Sequence, residues 1–140
     1  MYKRQLLLAQ SIRSVNFNPK ILDAAAENLT EEEIFKKIKS MSPKLICIVV
    51  YGQNVNAGTT NMSGAVNLIN YLKDNKIGKS ISLIGSHAQA LPKETLEKEK
   101  NIDFIFTNEG VYALRNVLKL ESFTTSTLKN IKGILFSIAC

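Results

Sequence analysis

Residues 45–50 read Leu-Ile-Cys-Ile-Val-Val, an uninterrupted apolar stretch that decides the fold class of this chain. The stretch is rich in β-branched residues and shows no alternation of apolar and polar positions, which predicts a strand covered on both faces. Strands of this kind belong to parallel sheets with helices packed on each side. We therefore predict that residues 45–50 lie at the centre of a parallel sheet.

Further strands and helices alternate around this stretch. Short apolar runs predict strands at residues 20–23, 81–84 and 103–106, and a final strand within residues 131–138 whose partner the pattern does not specify. The intervening segments are long enough to be crossovers between parallel strands. The pattern predicts a doubly wound α/β fold with a mainly parallel sheet, of the Rossmann/flavodoxin-like class.

Helix signals fill most of the intervening segments. Apolar spacing predicts an amphipathic helix over residues 2–15. Thr30 and Glu33 have the spacing of a capping box, which predicts the start of a second helix. The polar residues 51–60 are expected to form a loop before a third helix, which ends near Gly78.

The composition narrows the function. The chain has 140 residues, the size of one domain, and only two cysteines, Cys47 and Cys140. Two cysteines so far apart cannot form a metal knuckle or an iron–sulfur cluster by themselves, and they favour a reducing, cytoplasmic compartment. No apolar run approaches the roughly 20 residues of a membrane span. We therefore expect no membrane partner. The net charge of +6 comes from lysines scattered between acidic residues, so we also expect no nucleic-acid partner.

Three polar loops follow the strands predicted at residues 45–50, 81–84 and 103–106. The carboxyl ends of parallel strands share one edge, where ligands bind at a reversal of strand order. Loops are also polar and glycine-bearing because they turn in water, but three at one edge favour a ligand site. The candidate residues are Tyr51, Gly52, Gln53 and Asn54 in the first loop, Gly85, Ser86 and His87 in the second, and Asn108, Glu109 and Gly110 in the third.

His87 is the only histidine, and it lacks neighbouring ligands for a metal site of three or four donors. It is also the only visible base for a Ser or Cys nucleophile. A small hydrolase that uses His87 as its base is therefore the least favoured interpretation of the function.

Residues 21–33, residues 85–92 (Gly-Ser-His-Ala-Gln-Ala-Leu-Pro) and residues 103–110 (Asp-Phe-Ile-Phe-Thr-Asn-Glu-Gly) resemble a known family in their order and spacing. The family is the cobalamin-binding domain at the amino end of cobalamin-type radical S-adenosylmethionine proteins. There, a short strand ends in Asp, the fourth strand ends in a Gly-Gly-Pro-His-like loop, and the fifth ends in a Gly-Glu-Gly-like turn. The similarity covers about residues 5–134.

The resemblance implies that cobalamin is the cofactor and that the ten loop residues bind it, with residues 51–54 beside its nucleotide tail. Ser86 and Asn108 stand where the family has glycine. The Asp-x-His-x-x-Gly motif, which supplies a lower axial histidine in related mutases and methyltransferases, is absent. We therefore expect weak affinity and no protein imidazole on cobalt.

The family's first strand precedes the helix that begins near Leu6, and its radical barrel follows the last strand. The resemblance thus implies a fragment in which residues 1–120 form a cobalamin-binding-like domain without its first strand. Residues 121–140 would be a linker and strand leading to an absent radical S-adenosylmethionine barrel. We expect the strands at residues 20–23 and 45–50 to close the vacant slot by pairing directly.

The resemblance leads to one functional expectation, which we weigh against one alternative. The chain is expected to be the cobalamin-binding module of a radical S-adenosylmethionine enzyme, noncatalytic by itself, whose barrel is its partner. The alternative is a flavodoxin-like interaction or regulatory domain that binds no cofactor.

Overall fold

The computed structural model of the chain describes residues 3–51 and 55–138, with the backbone alone for residues 55–60. Helices and strands alternate through most of this part of the chain, as the sequence predicts. The helices are α1 (Lys3–Arg13), α2 (Glu31–Met41), α3 (Val55–Asp74), α4 (Ser86–Ala90), α5 (Pro92–Lys98), α6 (Val111–Leu118) and α7 (Thr125–Leu128), and the strands are β1 (Ile46–Val50), β2 (Ile81–Gly85), β3 (Phe104–Phe106) and β4 (Ile134–Phe136).

The four described strands form one open sheet in the order β1-β2-β3-β4. β1 and β2 run parallel with Ile46 beside Ile81, and β2 and β3 are also parallel. β4 pairs antiparallel with β3, with Phe104 beside Phe136. The mainly parallel α/β sheet is therefore confirmed, and the partner of the final strand is β3.

Helices cover both faces of the sheet, which gives the three-layer arrangement that the apolar strands predict. On one face, Ile46 and Leu83 belong to a buried cluster with Ile34 of α2 and Ile69 of α3. On the other face, Ile84 and the phenylalanines of β3 pack with residues of α1 and α6. Burial on both faces explains why these strands have no polar alternation.

The capping box at the start of α2 is present as predicted. The Glu33 amide donates to the Thr30 hydroxyl at 3.3 Å, and the Thr30 amide donates to the Glu33 carboxylate at 2.8 Å. The hydrogen bond from the Thr30 backbone holds the pKa of Glu33 below its usual value. The sequence thus sets the start of this helix locally.

The prediction of a strand at residues 20–23 is wrong. This segment has no regular structure, and residues 24–28 continue it as turns in which the Asp23 carboxylate accepts the Ala26 amide at 2.9 Å. Leu22 packs against the core, but the segment makes no ladder with β1. The expected direct closure of the slot is therefore wrong as well.

The position predicted for residues 45–50 also needs correction, because β1 is an edge strand of the described sheet and not its centre. Every residue of β2 is buried, whereas the three middle residues of β1 are only partly buried. β1 has a central strand's sequence because helices cover both of its faces. Its backbone is nevertheless paired on one side only within the described residues.

Two predicted loops contain helix. α3 begins at Val55, inside the stretch 51–60 that was expected to be a loop, and α4 spans Ser86–Ala90. A polar segment can still be helical when the residues that follow it continue the helix. Within the described residues, no helix is both long enough and apolar enough to cross a membrane.

Candidate functional site

The carboxyl ends of β1, β2 and β3 bring several predicted site residues together. The Tyr51 hydroxyl donates to the Glu109 carboxylate at 3.4 Å, and the Gln89 amide donates to the Tyr51 hydroxyl at 3.4 Å and to the Asn108 carbonyl at 2.7 Å. Gly85 ends β2, and Ser86 and His87 begin α4. Gly52, Gln53 and Asn54 lie outside the described residues.

Arg4 of α1 completes this cluster, and the sequence analysis did not identify it. Its guanidinium pairs with the Glu109 carboxylate at 3.0 Å and lies 4.2 Å from the centroid of the Tyr51 ring. The contact with the Tyr51 hydroxyl and the charge of Glu109 raise the pKa of Arg4, while burial raises the pKa of Tyr51. These side chains bind one another and tie α1 to the turn before α6.

Two glycines that the resemblance assigns to cobalamin have causes within the chain. A Cβ at Gly85 would collide with the Val50 carbonyl of the neighbouring strand. Gly110 has a φ of +75°, and a Cβ there would lie 2.8 Å from the Cδ1 atom of Ile84. The Asn108 side chain also accepts the Gly110 amide at 2.8 Å, which holds this turn. Neither glycine needs a ligand to explain it.

Ser86 has a buried polar group that no described neighbour satisfies. Its hydroxyl is buried and has no hydrogen-bond partner within the described part of the chain. A buried hydroxyl without a partner costs about 1–3 kcal/mol, so its presence calls for an explanation. Among the predicted site residues that the structure describes, only Ser86 has a buried side-chain polar atom without a hydrogen-bond partner. His87 beside it is half-buried.

These observations bear on how well cobalamin fits the carboxyl edge. Tyr51, Asn108 and Glu109 are engaged with neighbouring residues, and the described strands follow one another without the reversal of order that creates a ligand crevice. Among the described candidate residues, Ser86 alone keeps a buried side-chain polar atom without a partner for such a ligand. No group of three or more His, Cys, Asp or Glu side chains in residues 3–51 and 61–138 is placed to hold a metal ion.

A large groove lies elsewhere, between β1 and residues 19–25, with a volume of about 760 Å³. We call it the β1 groove. Helices α1 and α3 also contribute to its lining, and its charged lining residues are Lys20, Asp23 and Glu31. Of the predicted site residues that the structure describes, only Tyr51 lines it.

The floor of the β1 groove is the unpaired edge of β1. The Ile46 amide donates to the Ser80 carbonyl at 3.1 Å, so Ile46, and with it Ile48 and Val50, directs its backbone polar groups towards β2. The backbone groups of Cys47 and Val49 therefore point away from β2. No described strand pairs with that edge.

Sequence reasoning also missed two residues that line the β1 groove, Gly64 and Gln5. Gly64 lies inside the 20-residue helix α3, lines the groove, and has no atom within 4 Å of the position that its Cβ would occupy. Gln5 lines the groove as well, and its side-chain carbonyl oxygen is buried without a donor among the described residues. A glycine inside a predicted helix was the only available sequence signal.

Cys47 also lines the groove, but its thiol is weakly reactive. Burial raises the pKa of its thiol to about 11, against a smaller opposite effect of the hydrogen bond with Ser82. The thiol is protonated at neutral pH and is a poor nucleophile.

Scans against protein-family models, curated proteins and solved structures find no match to this chain. Its class therefore follows from its own architecture. It is an α/β domain with a four-stranded, mostly parallel open sheet, compatible with a Rossmann/flavodoxin-like fold.

Proposed function

We propose that this domain is a binding module that holds an elongated apolar ligand in the β1 groove. The observation that carries the proposal is the groove itself, which runs along an apolar strand edge with no pairing partner in the described sheet. Edge strands are normally protected by charged residues, Pro or a bulge. The Ile-Cys-Ile-Val-Val sequence of β1 contains no charged residue or Pro.

Gly64 supports the same proposal. Glycine inside a helix costs about 1 kcal/mol relative to alanine, and nothing in the described chain requires a small residue here. A ligand that approaches the backbone of α3 closely would require it.

The proposal is tested by closing the groove. Gly64→Leu places a large side chain in the groove, and leucine suits a helix better than glycine does, so the helix should be kept. Gly64→Ala is the matched control. We expect Gly64→Leu to reduce the binding of the apolar dye 8-anilinonaphthalene sulfonate severalfold, and Gly64→Ala to reduce it little. Equal dye binding by wild type and Gly64→Leu would contradict the proposal.

Cobalamin binding at the carboxyl edge is a second candidate, and the buried Ser86 hydroxyl favours it. A ligand atom near the loop of residues 85–87 would supply the partner that this hydroxyl lacks. The mutual contacts of Arg4, Tyr51 and Glu109 weigh against it, because a ligand at their position would have to displace them.

A further inference from the structure

We infer that the occupant of the β1 groove is an extended strand from a different polypeptide, which adds to the sheet beside β1. This inference rests on the proposed function, because it names the partner that the groove would hold. It depends on the arrangement of polar groups at the floor of the groove and on the apolar walls above and below them.

The floor presents a repeated polar pattern. Cys47 and Val49 each direct one amide donor and one carbonyl acceptor towards the groove, because their neighbours Ile46, Ile48 and Val50 face β2. These groups are two residues apart, so they repeat about every 7 Å along the edge. The backbone of an extended peptide repeats its donors and acceptors at the same spacing.

The walls favour a strand with apolar side chains on both faces. Ile48 and Val49 project to opposite faces of β1, where each packs against a different apolar cluster. Side chains of an added strand would alternate in the same way and continue both clusters. Unpaired backbone groups at an apolar edge are costly, so an added strand would also relieve the edge of β1.

Two features are consistent with close approach of a main chain. Gly64 leaves open space at the surface of α3, so a neighbouring backbone can lie against this helix. The buried side-chain oxygen of Gln5 can accept one further peptide amide. Neither feature is explained by contacts within the described chain.

The probe for this inference is a synthetic peptide with the sequence of residues 45–50, in which Ser replaces Cys and two lysines flank each end. Apart from this Ser and the flanking lysines, its side chains are apolar on both faces, and its positive charge avoids nonspecific attraction to a chain of net charge +6. Amide hydrogen exchange is measured by NMR with and without the peptide. We expect the Cys47 and Val49 amides to exchange rapidly in the free protein and at least about tenfold more slowly with the peptide.

Ile48 is the internal control, because its amide already belongs to the β1–β2 ladder and is protected without the peptide. Val49→Pro removes one groove-facing donor without removing a ladder donor, and Val49→Ala is its matched control. Loss of that hydrogen bond should weaken the peptide about tenfold in Val49→Pro relative to Val49→Ala. If Val49→Pro does not fold, the exchange measurement on the wild-type protein still decides.

The outcomes separate this inference from the proposed function. If Gly64→Leu abolishes dye binding but the peptide leaves the Cys47 and Val49 amides unprotected, the groove binds ligands and the strand is wrong. If Gly64→Leu changes neither dye nor peptide binding, both proposals fail. Protection of both amides without peptide, accompanied by dimers in sedimentation, would show that a second copy fills the groove and would overturn a different polypeptide as the occupant.

Discussion

Gly85 faces the backbone carbonyl of Val50 so closely that no Cβ fits between the two residues. They are directly paired at the carboxyl ends of β1 and β2. The φ of Gly85 is 169°, an extended conformation open to any residue, so the requirement for glycine is steric and not conformational.

This contact predicts that Gly85→Ala is strongly destabilising. The added methyl group must push β1 and β2 apart at a buried position, which should lower the free energy of unfolding by about 3 kcal/mol. Urea denaturation measures the change. Gly64→Ala is the matched control and should raise the free energy of unfolding by about 0.5–1 kcal/mol, since it adds a methyl group in open space on a helix. A harmless Gly85→Ala would show that the strands separate easily here.

The ion pair between Arg4 and Glu109 should contribute little to stability. Their side chains are 52% and 60% exposed, and exposed pairs contribute below about 1 kcal/mol. A double-mutant cycle of Arg4→Ala and Glu109→Gln should give a coupling energy in this range that shrinks at high salt. Coupling well above it, unchanged by salt, would indicate that the cluster with Tyr51 is more buried in solution.

Burial of the Cys47 thiol predicts that the folded protein loses stability at alkaline pH. The thiol has a pKa near 8.5 in an unfolded chain and about 11 in the folded protein. Between these values the unfolded state releases a proton that the folded state retains, so stability falls as the pH rises from about 8.5 to 11. The loss should be no more than about 3–4 kcal/mol.

The test compares urea denaturation of the wild type and Cys47→Ala at pH 7.5 and pH 10.5. The two proteins share every other titratable group, so the difference isolates this thiol. We expect the variant to show the smaller alkaline loss. Equal losses would mean that the Cys47 thiol ionises as readily when folded as when unfolded.

The cobalamin candidate makes its own prediction. Protein mixed with hydroxocobalamin and then desalted should retain corrin absorption bands weakly, without the spectrum of a histidine-ligated cobalt. Ser86→Gly should leave this affinity unchanged or improve it, because the family has glycine at that position. A clear loss of affinity in Ser86→Gly would show that residues 85–87 do not correspond to the family's glycine loop.

Local signals in the sequence were sufficient for most of the fold. The covered strand at residues 45–50, the capping box of Thr30 and Glu33, and the alternation of strands and helices all arise from short-range chemistry. They predicted a mainly parallel α/β sheet and the strands β1, β2 and β3 to within a residue or two. They also placed Tyr51, Glu109 and Gly85 at one edge, since parallel strands share their carboxyl ends.

Only the tertiary structure decided how these elements are used. An apolar strand has the same sequence at the centre or at an edge when helices cover both of its faces, so its pairing cannot be derived from residues 45–50. The Arg4–Glu109 pair joins residues 105 positions apart, and the groove beside β1 exists because residues 20–23 do not pair with it. Side-chain burial is determined by local sequence patterns, whereas the partner of a strand edge depends on where distant segments come to lie.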